Sequence, residues 1–253
     1  MNKEDLIKDI SKKVKPKKLF GQSFLINPKI YEKIIETSEI KKGEKVLEIG
    51  AGTGILTRYL IDAGADVVAV EKDRDLIPEL KKNAPEAEII KGDILKTDLP
   101  NLKGYKIVAN IPYYLTSRLI KTIFEKWLKP KLIVLMVQHE IAKRITAKPP
   151  EMSMLSLSVQ YYSKPKIVMK VGKGNFWPIS EVDSAILKLT PKEGVERNDK
   201  LFELAKKAFS GKRKKLGNTL KAYKEIFEKI GLDSNRRPET LTPEEWLKLA
   251  ASI

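Results

Sequence analysis

Between residues 45 and 145 the chain alternates short apolar runs with stretches of helical spacing, and the first run leads directly into a glycine-rich turn, Glu48-Ile49-Gly50-Ala51-Gly52-Thr53-Gly54. Strands are expected at 45–49, 66–70, 87–91, 106–109 and 132–137, with helices at 55–63, 76–83, 116–127 and from 138 to 145. Strands separated by helices pair in parallel and are covered on both faces. The expectation is therefore an α/β, doubly wound sheet whose ligands sit at the carboxyl ends of its strands. Apolar residues at helical spacing (Ile30, Ile34, Ile35) predict a further helix over 30–40. Two more strands, at 164–171 and 184–189, flank a Gly/Pro-bearing loop and suggest a closing antiparallel hairpin. Beyond Pro191 the pattern is helical, with breaks at Gly211, Gly231 and Pro238. The expected domains are 1–191, opened by a basic arm over 1–18 that lacks a strong apolar stripe, and an all-α domain over 192–253.

The chain has 253 residues, 42% hydrophobic, which suffices for one large domain and a small appendage. It has no cysteine, which excludes disulfides and thiolate catalysis, and its one histidine, His139, speaks against a histidine metal site or a Ser-His-Asp triad. No apolar run reaches membrane-spanning length and no signal-peptide core is present, so a cytoplasmic protein, monomeric and away from membranes, is expected. The formal net charge is +16. It is gathered rather than spread: residues 200–224 carry nine Lys/Arg and one acid, Glu203. Charge concentrated in segments predicts a phosphate-contacting face and a nucleic-acid partner.

Glycines in a turn between strand and helix let the backbone approach a ligand closely. The spacing is G-x-G-x-G, not the G-x-G-x-x-G of pyrophosphate binding. Glu71 ends the second strand, where a carboxylate can hold both hydroxyls of a ribose. Asp93 follows the third strand and can accept from an adenine amino group. Each has a plainer reading: Gly50 and Gly52 as a structural turn, Glu71 as a surface acid, Asp93 as a helix cap. Together, on consecutive strands, they describe a pocket for S-adenosylmethionine in a class I methyltransferase.

The fourth strand ends in Asn110-Ile111-Pro112-Tyr113. The Asn110 amide oxygen and the Ile111 carbonyl can accept hydrogen bonds from an exocyclic NH2. Pro112 stiffens the turn, and Tyr113 offers a stacking face. The run Lys212-Arg213-Lys214-Lys215 is read as contacting RNA backbone, against the alternative of a solvated helix face.

With these motifs the chain resembles the small-subunit ribosomal RNA adenine N6 dimethyltransferases, the KsgA type, over roughly residues 18–250. Further markers are Phe20-Gly21-Gln22-Ser23-Phe24-Leu25, Gln138 to Ala142, Leu155 to Gln160, Phe176-Trp177-Pro178 with Val182 to Ala185, Phe209 to Lys215, and Arg237 to Leu241. The resemblance implies a seven-stranded Rossmann-like sheet with one antiparallel strand and a small helical C-terminal domain. It places donor contacts on Ser23, Leu25, Gly50, Glu71, Asp93 and Asn110, and a second stacking face on Phe176. It implies N6,N6-dimethylation of adenosines in small-subunit rRNA, on rRNA or an immature small subunit, with S-adenosylmethionine as donor and no metal. The chain departs from the family pattern at Ser23, Tyr114, Arg118, Ile179-Ser180-Glu181 and Gly211-Lys212. An Erm-like enzyme of large-subunit rRNA and a non-catalytic ribosome-assembly factor on the same fold are the alternatives.

Overall fold

The computed structural model describes residues 3–17, 21–100, 102–211 and 213–253, with the side chains of Lys8, Asp9 and Tyr114 outside that description. The chain divides into two units, Met1–Ala142 with Lys166–Pro191, and Lys143–Pro165 with Lys192–Ile253. Residues 143–165 group with the second unit because that segment's partners lie after residue 192 rather than in the sheet.

The first unit is built on a seven-stranded sheet. Its strands are β2 (Lys45–Ile49), β3 (Asp66–Glu71), β4 (Glu88–Lys91), β5 (Lys106–Asn110), β6 (Leu132–Gln138), β7 (Ser163–Val171) and β9 (Ser184–Pro191), in the order β4-β3-β2-β5-β6-β9-β7. The first five pair in parallel, and β9 runs antiparallel to β6. The central strands are buried on both faces: Val46, Leu47, Ile107, Val108 and Ile133 are at or near zero exposure. That burial is why they read as unbroken apolar runs rather than alternating ones. Helices α2 (Pro28–Ser38), α3 (Ile55–Asp62), α4 (Ile77–Asn83), α5 (Thr116–Lys126) and α6 (His139–Thr146) alternate with the strands. Asn27 caps α2 through its side chain, with Pro28 in the first turn where a missing N–H is harmless.

Chain order reverses between β2 and β5. The connection from β2 goes outward to β3, while β5 lies on the other side of β2. Crossover helices leave in opposite directions there, and a crevice opens above the two strand ends.

Two elements were not legible in the sequence. Residues 3–13, within the basic arm that the sequence reads as either loose or a frayed helix, form a helix, α1 (Lys3–Lys13). Leu6, Ile10 and Val14 are 3, 1 and 7% exposed. They repeat every fourth residue, a narrow stripe among lysines. Lys13 pairs with Glu79 at 2.7 Å, and Lys3 donates to the Gly174 carbonyl at 2.6 Å. Strands β1 (Phe24–Leu25) and β8 (Phe176–Trp177) form a separate antiparallel ribbon, pairing Phe24 with Trp177 and Leu25 with Phe176.

The second unit is helical: α7 (Met154–Tyr162), α8 (Asp199–Phe209), α9 (Leu216–Thr219), α10 (Lys224–Ile230) and α11 (Pro243–Ala251). Capping boxes start α7 (Ser153 with Ser156) and α11 (Thr242 with Glu245). Tyr161 and Tyr162 close on Phe202 at 5.3 and 5.7 Å, and the fully buried Trp246 meets Phe209 at 5.9 Å. Among the described residues no helix is long and apolar enough to cross a membrane.

Gly54, which opens α3, has φ +84°, and a Cβ there would lie 2.9 Å from Leu80 Cδ1 and 3.2 Å from Leu80 Cα. Gly54→Ala is expected to lower the unfolding free energy by roughly 2–4 kcal/mol. Gly174→Ala, which would enter open space, should stay within about 0.5 kcal/mol. Chemical denaturation of the two variants checks this, and equal midpoints would contradict the packing described.

Candidate active site

A cavity of about 350 Å³ occupies the crevice at the β2–β5 reversal. Gly50, Gly52, Glu71, Asp93 and Asn110 all border it, as do Ser23, Leu25, Ile111, Pro112 and Tyr113. The structure therefore brings together every expected donor and acceptor residue except Phe176.

The glycine turn is held from below by backbone bonds. Gly50 N–H donates to the Val70 carbonyl at 2.8 Å, and the Asn83 amide donates to the Thr53 carbonyl at 2.7 Å. At φ +74°, Gly50 brings its backbone against the end of β5, where a Cβ would lie 3.7 Å from the Asn110 carbonyl oxygen. Glu71 is 7% exposed. Its Oε2 accepts from Gly52 N–H and its Oε1 from Asp73 N–H, each at 2.7 Å. Burial raises its pKa, and those N–H groups oppose the rise. A carboxylate has about four lone-pair sites, so acceptor capacity remains for a ligand.

Asp93 caps the turn after β4 and also borders the cavity. Its Oδ1 accepts from Leu95 N–H at 3.1 Å, as a cap does, while its Oδ2 meets Lys72 Nζ at 3.0 Å on the cavity wall. Burial would raise its pKa, but Lys72 and the Leu95 N–H outweigh that and hold it below the usual carboxylate range.

Ser23 and Leu25 line the cavity from the N-terminal side. The Ser23 hydroxyl is turned away to a protein acceptor, donating to the Pro178 carbonyl at 2.9 Å. The Leu25 carbonyl accepts from the Tyr31 hydroxyl at 2.8 Å. Neighbouring Gln22 donates to Asp73 Oδ2 at 2.7 Å, and Lys17 reaches Asp73 Oδ1 at 2.6 Å, fastening this wall to the turn after β3.

On the β5 side, the Asn110 side chain makes no hydrogen bond among the described residues. The Tyr113 hydroxyl lies 2.8 Å from Ser184 Oγ and 3.1 Å from Ser180 Oγ, which fixes the ring's orientation. Phe176 corrects the sequence reading. It is 1% exposed, belongs to the apolar core and does not border the cavity, because pairing of β8 with β1 turns it inward. It offers no free face to a base. In the second unit Arg213, Lys214 and Lys215 are exposed, as an RNA contact requires. Lys212, Phe20 and the Tyr114 side chain lie outside the described residues.

Glu48 and Arg118 also border the cavity; the sequence marked Glu48 as the start of the glycine turn and Arg118 as a departure from the family pattern, but assigned neither a role. An acid inside the run Val46-Leu47-Glu48-Ile49 was the available signal for the first. Glu48 is 1% exposed, its Oε2 has no hydrogen-bond partner, and burial pushes its carboxyl up to about 8, a rise that Thr57 moderates and Glu71 reinforces. Among the described residues no group of three or more His, Cys, Asp or Glu side chains could hold a metal ion.

Two solved structures are similar to this chain over most of its length. A dimethyladenosine transferase from Plasmodium falciparum superposes with a TM-score of 0.81 at 32% identity, covering 89% of this chain and 95% of that one. The 23S rRNA methyltransferase ErmE gives 0.75 at 26% identity, covering 90 and 98%. Fold and site thus define a class I, Rossmann-like methyltransferase. The family model described as "Ribosomal RNA adenine dimethylase" matches residues 13–253. The ribosomal RNA small subunit methyltransferase A of Dehalococcoides mccartyi is 41% identical over 256 aligned residues, 93% of this chain and 88% of its own length. The chain belongs to the ribosomal RNA adenine dimethylase family.

The Glu48 carboxyl ionises near 4.5 when unfolded and near 8 when folded. Its contribution to stability is complete below the lower value and is lost as pH rises through the upper one. Glu48→Gln should remove that dependence, so its melting temperature should gain on the wild type's as pH is raised from about 5 to about 9. Thermal melts across that range check this; parallel curves would contradict the assignment.

Proposed function

We propose that this chain transfers methyl groups from S-adenosylmethionine to N6 of adenosines in small-subunit rRNA, giving N6,N6-dimethyladenosine. The carrying observation is the juxtaposition of the Gly50 turn and Asn110 across the β2–β5 reversal, with the Gly50 Cβ position 3.7 Å from the Asn110 carbonyl. A donor seated on the turn then faces a group held by Asn110.

The donor supplies a methyl group made electrophilic by its sulfonium sulfur. Gly50 and Gly52 let the backbone approach it. Glu71 uses its spare lone-pair capacity on ribose hydroxyls, and Asp93, with Leu95 N–H on one oxygen and Lys72 on the other, accepts from the donor's adenine amino group through a remaining lone pair. Leu25 packs against it, and Ser23 contributes backbone only, since its hydroxyl is already engaged with Pro178.

The target N6 is a weak nucleophile because its lone pair is delocalised into the ring. The Asn110 amide oxygen and the Ile111 carbonyl, accepting from its two hydrogens, favour a pyramidal nitrogen whose lone pair points at the methyl. Pro112 restricts the turn that aims them. Tyr113, oriented by Ser180 and Ser184, stacks on the base. Extruding a base costs a few kcal/mol, and one aromatic face returns about 1–3 kcal/mol. With Phe176 in the core, Tyr113 offsets only part of that cost. Transfer is an in-line displacement governed by alignment, and the proton leaves afterwards.

In the second unit, Arg213, Lys214 and Lys215 contact RNA phosphates, positioning the enzyme without reading sequence. The family model and the small-subunit relatives favour this reading over the ErmE-like one, which the structural likeness also admits.

The test is to incubate the protein with labelled donor and either immature small subunits or naked large-subunit rRNA, and to map the label. Label on small-subunit adenines at N6 is expected; label confined to large-subunit RNA would overturn the reading. Asn110→Ala should lower transfer by ~100-fold or more with RNA affinity within about twofold of wild type. Near-full activity would exclude the mechanism. Joint replacement of Arg213, Lys214 and Lys215 by alanine should reduce the slope of log affinity against log salt by about 2–3. An unchanged slope would remove that patch from the interface.

A further inference from the structure

Arg118 stands in the first turn of α5, just past the turn that carries Tyr113, and borders the cavity. It is exposed, so it sits at the rim and not within. Among the described residues its guanidinium takes part in no ion pair or hydrogen bond, whereas Lys72 on the opposite wall is paired with Asp93 at 3.0 Å. The positions one turn away on the helix, Tyr114, Leu115, Lys121 and Thr122, include no acid that could engage it. Five donors in a rigid fork are thus unengaged at the mouth of the cavity. That fork matches the oxygens of a phosphate, which it can hold through two parallel hydrogen bonds.

Two anions could come within its reach: the carboxylate of the donor and a phosphate of the RNA. Position favours the RNA. Of the residues assigned to the donor, Gly50, Gly52, Glu71 and Asp93 stand at or just past the ends of β2, β3 and β4, Ser23 and Leu25 at β1, and only Asn110 on β5, where it is shared with the target base; Arg118 belongs to the crossover that leaves β5, on the other side of the reversal. It follows the Asn110–Tyr113 turn, where the target base is held. An extruded nucleotide carries its flanking phosphates with it. Since Phe176 is in the core, Tyr113 alone does not account for holding the base outside its stack.

We propose that Arg118 is a positioning residue that grips the phosphate beside the target adenosine and so keeps the base extruded against Tyr113. This deepens the function proposed above and rests on it.

The experiment uses the full chain, small-subunit rRNA and labelled donor, with wild type, Arg118→Ala and Arg118→Lys. Wild-type label must appear at N6 of small-subunit adenines; its absence overturns the underlying reading and this proposal with it. Given that label, Arg118→Ala should raise KM for RNA about tenfold while lowering kcat much less. The slope of log affinity against log salt should fall by about 0.7–1. Arg118→Lys, which keeps the charge but loses the fork, should recover most of the salt slope and part of the affinity. Donor affinity measured by calorimetry without RNA should match wild type in all three proteins. Unchanged KM and salt slope in Arg118→Ala would overturn the proposal alone, leaving the function intact. So would loss of donor affinity, which would assign Arg118 to the donor carboxylate. A lysine variant as impaired as alanine, with the wild-type salt slope, would point to stacking and also sink the phosphate assignment.

Discussion

Everything at the site depends on the contact between the end of β2 and the end of β5. Parallel neighbours whose crossovers leave in opposite directions open a crevice that neither strand could make alone. Under the proposed mechanism the glycine turn after β2 offers a donor close backbone approach, and the end of β5 offers a target amine its acceptors. The register Val46 with Lys106 through Glu48 with Val108 brings the two ends level. A slip of that pairing by one residue would turn every buried side chain of β5 to the other face. The same apolar packing that stabilises the sheet therefore also sets the alignment on which transfer depends.

The electrostatics of the crevice follow from its burial. Two carboxyl groups, Glu48 and Glu71, sit within it, and they are stabilised differently. Glu71 is engaged by Gly52 and Asp73 N–H groups. Glu48 has an oxygen with no partner and stays protonated well above the ordinary range. A buried acid without a partner is tolerated more cheaply as the neutral form. The wall made by Gln22 and Lys17 on Asp73 is a hydrogen-bonded brace, in which charge matters less than geometry because Lys17 faces solvent.

The sheet was legible because its strands are buried on both faces, which leaves unbroken apolar runs such as Leu132 to Val137. The glycine turn, Glu71 and Asn110 were legible because strand ends are where such residues have a use. What was missed shares one cause: it depends on partners distant in the chain. The Leu6, Ile10 and Val14 stripe is three residues wide among lysines, too thin to read as amphipathic until the core beneath it is seen. Strands of two residues, β1 and β8, have no period to detect. Phe176 looks like an exposed aromatic beside a Gly/Pro loop, and only its pairing opposite Leu25 shows that it faces inward. Residues 143–165 join the second unit through contacts such as the Met152 N–H to the Glu239 carbonyl, which no local pattern announces.

The short ribbon of β1 and β8 has a mechanical meaning beyond its size. One strand carries Leu25, with Ser23 just before it, to the cavity wall; the other leads through Pro178 to Ser180, whose hydroxyl meets that of Tyr113. Their coupling is continued by the Ile26 N–H to the Asn175 carbonyl and by the Asn27 amide to Asn175 Oδ1. The cavity wall at Leu25 and the support of the Tyr113 hydroxyl are thereby fastened to one ribbon, so that a shift of either strand would move both.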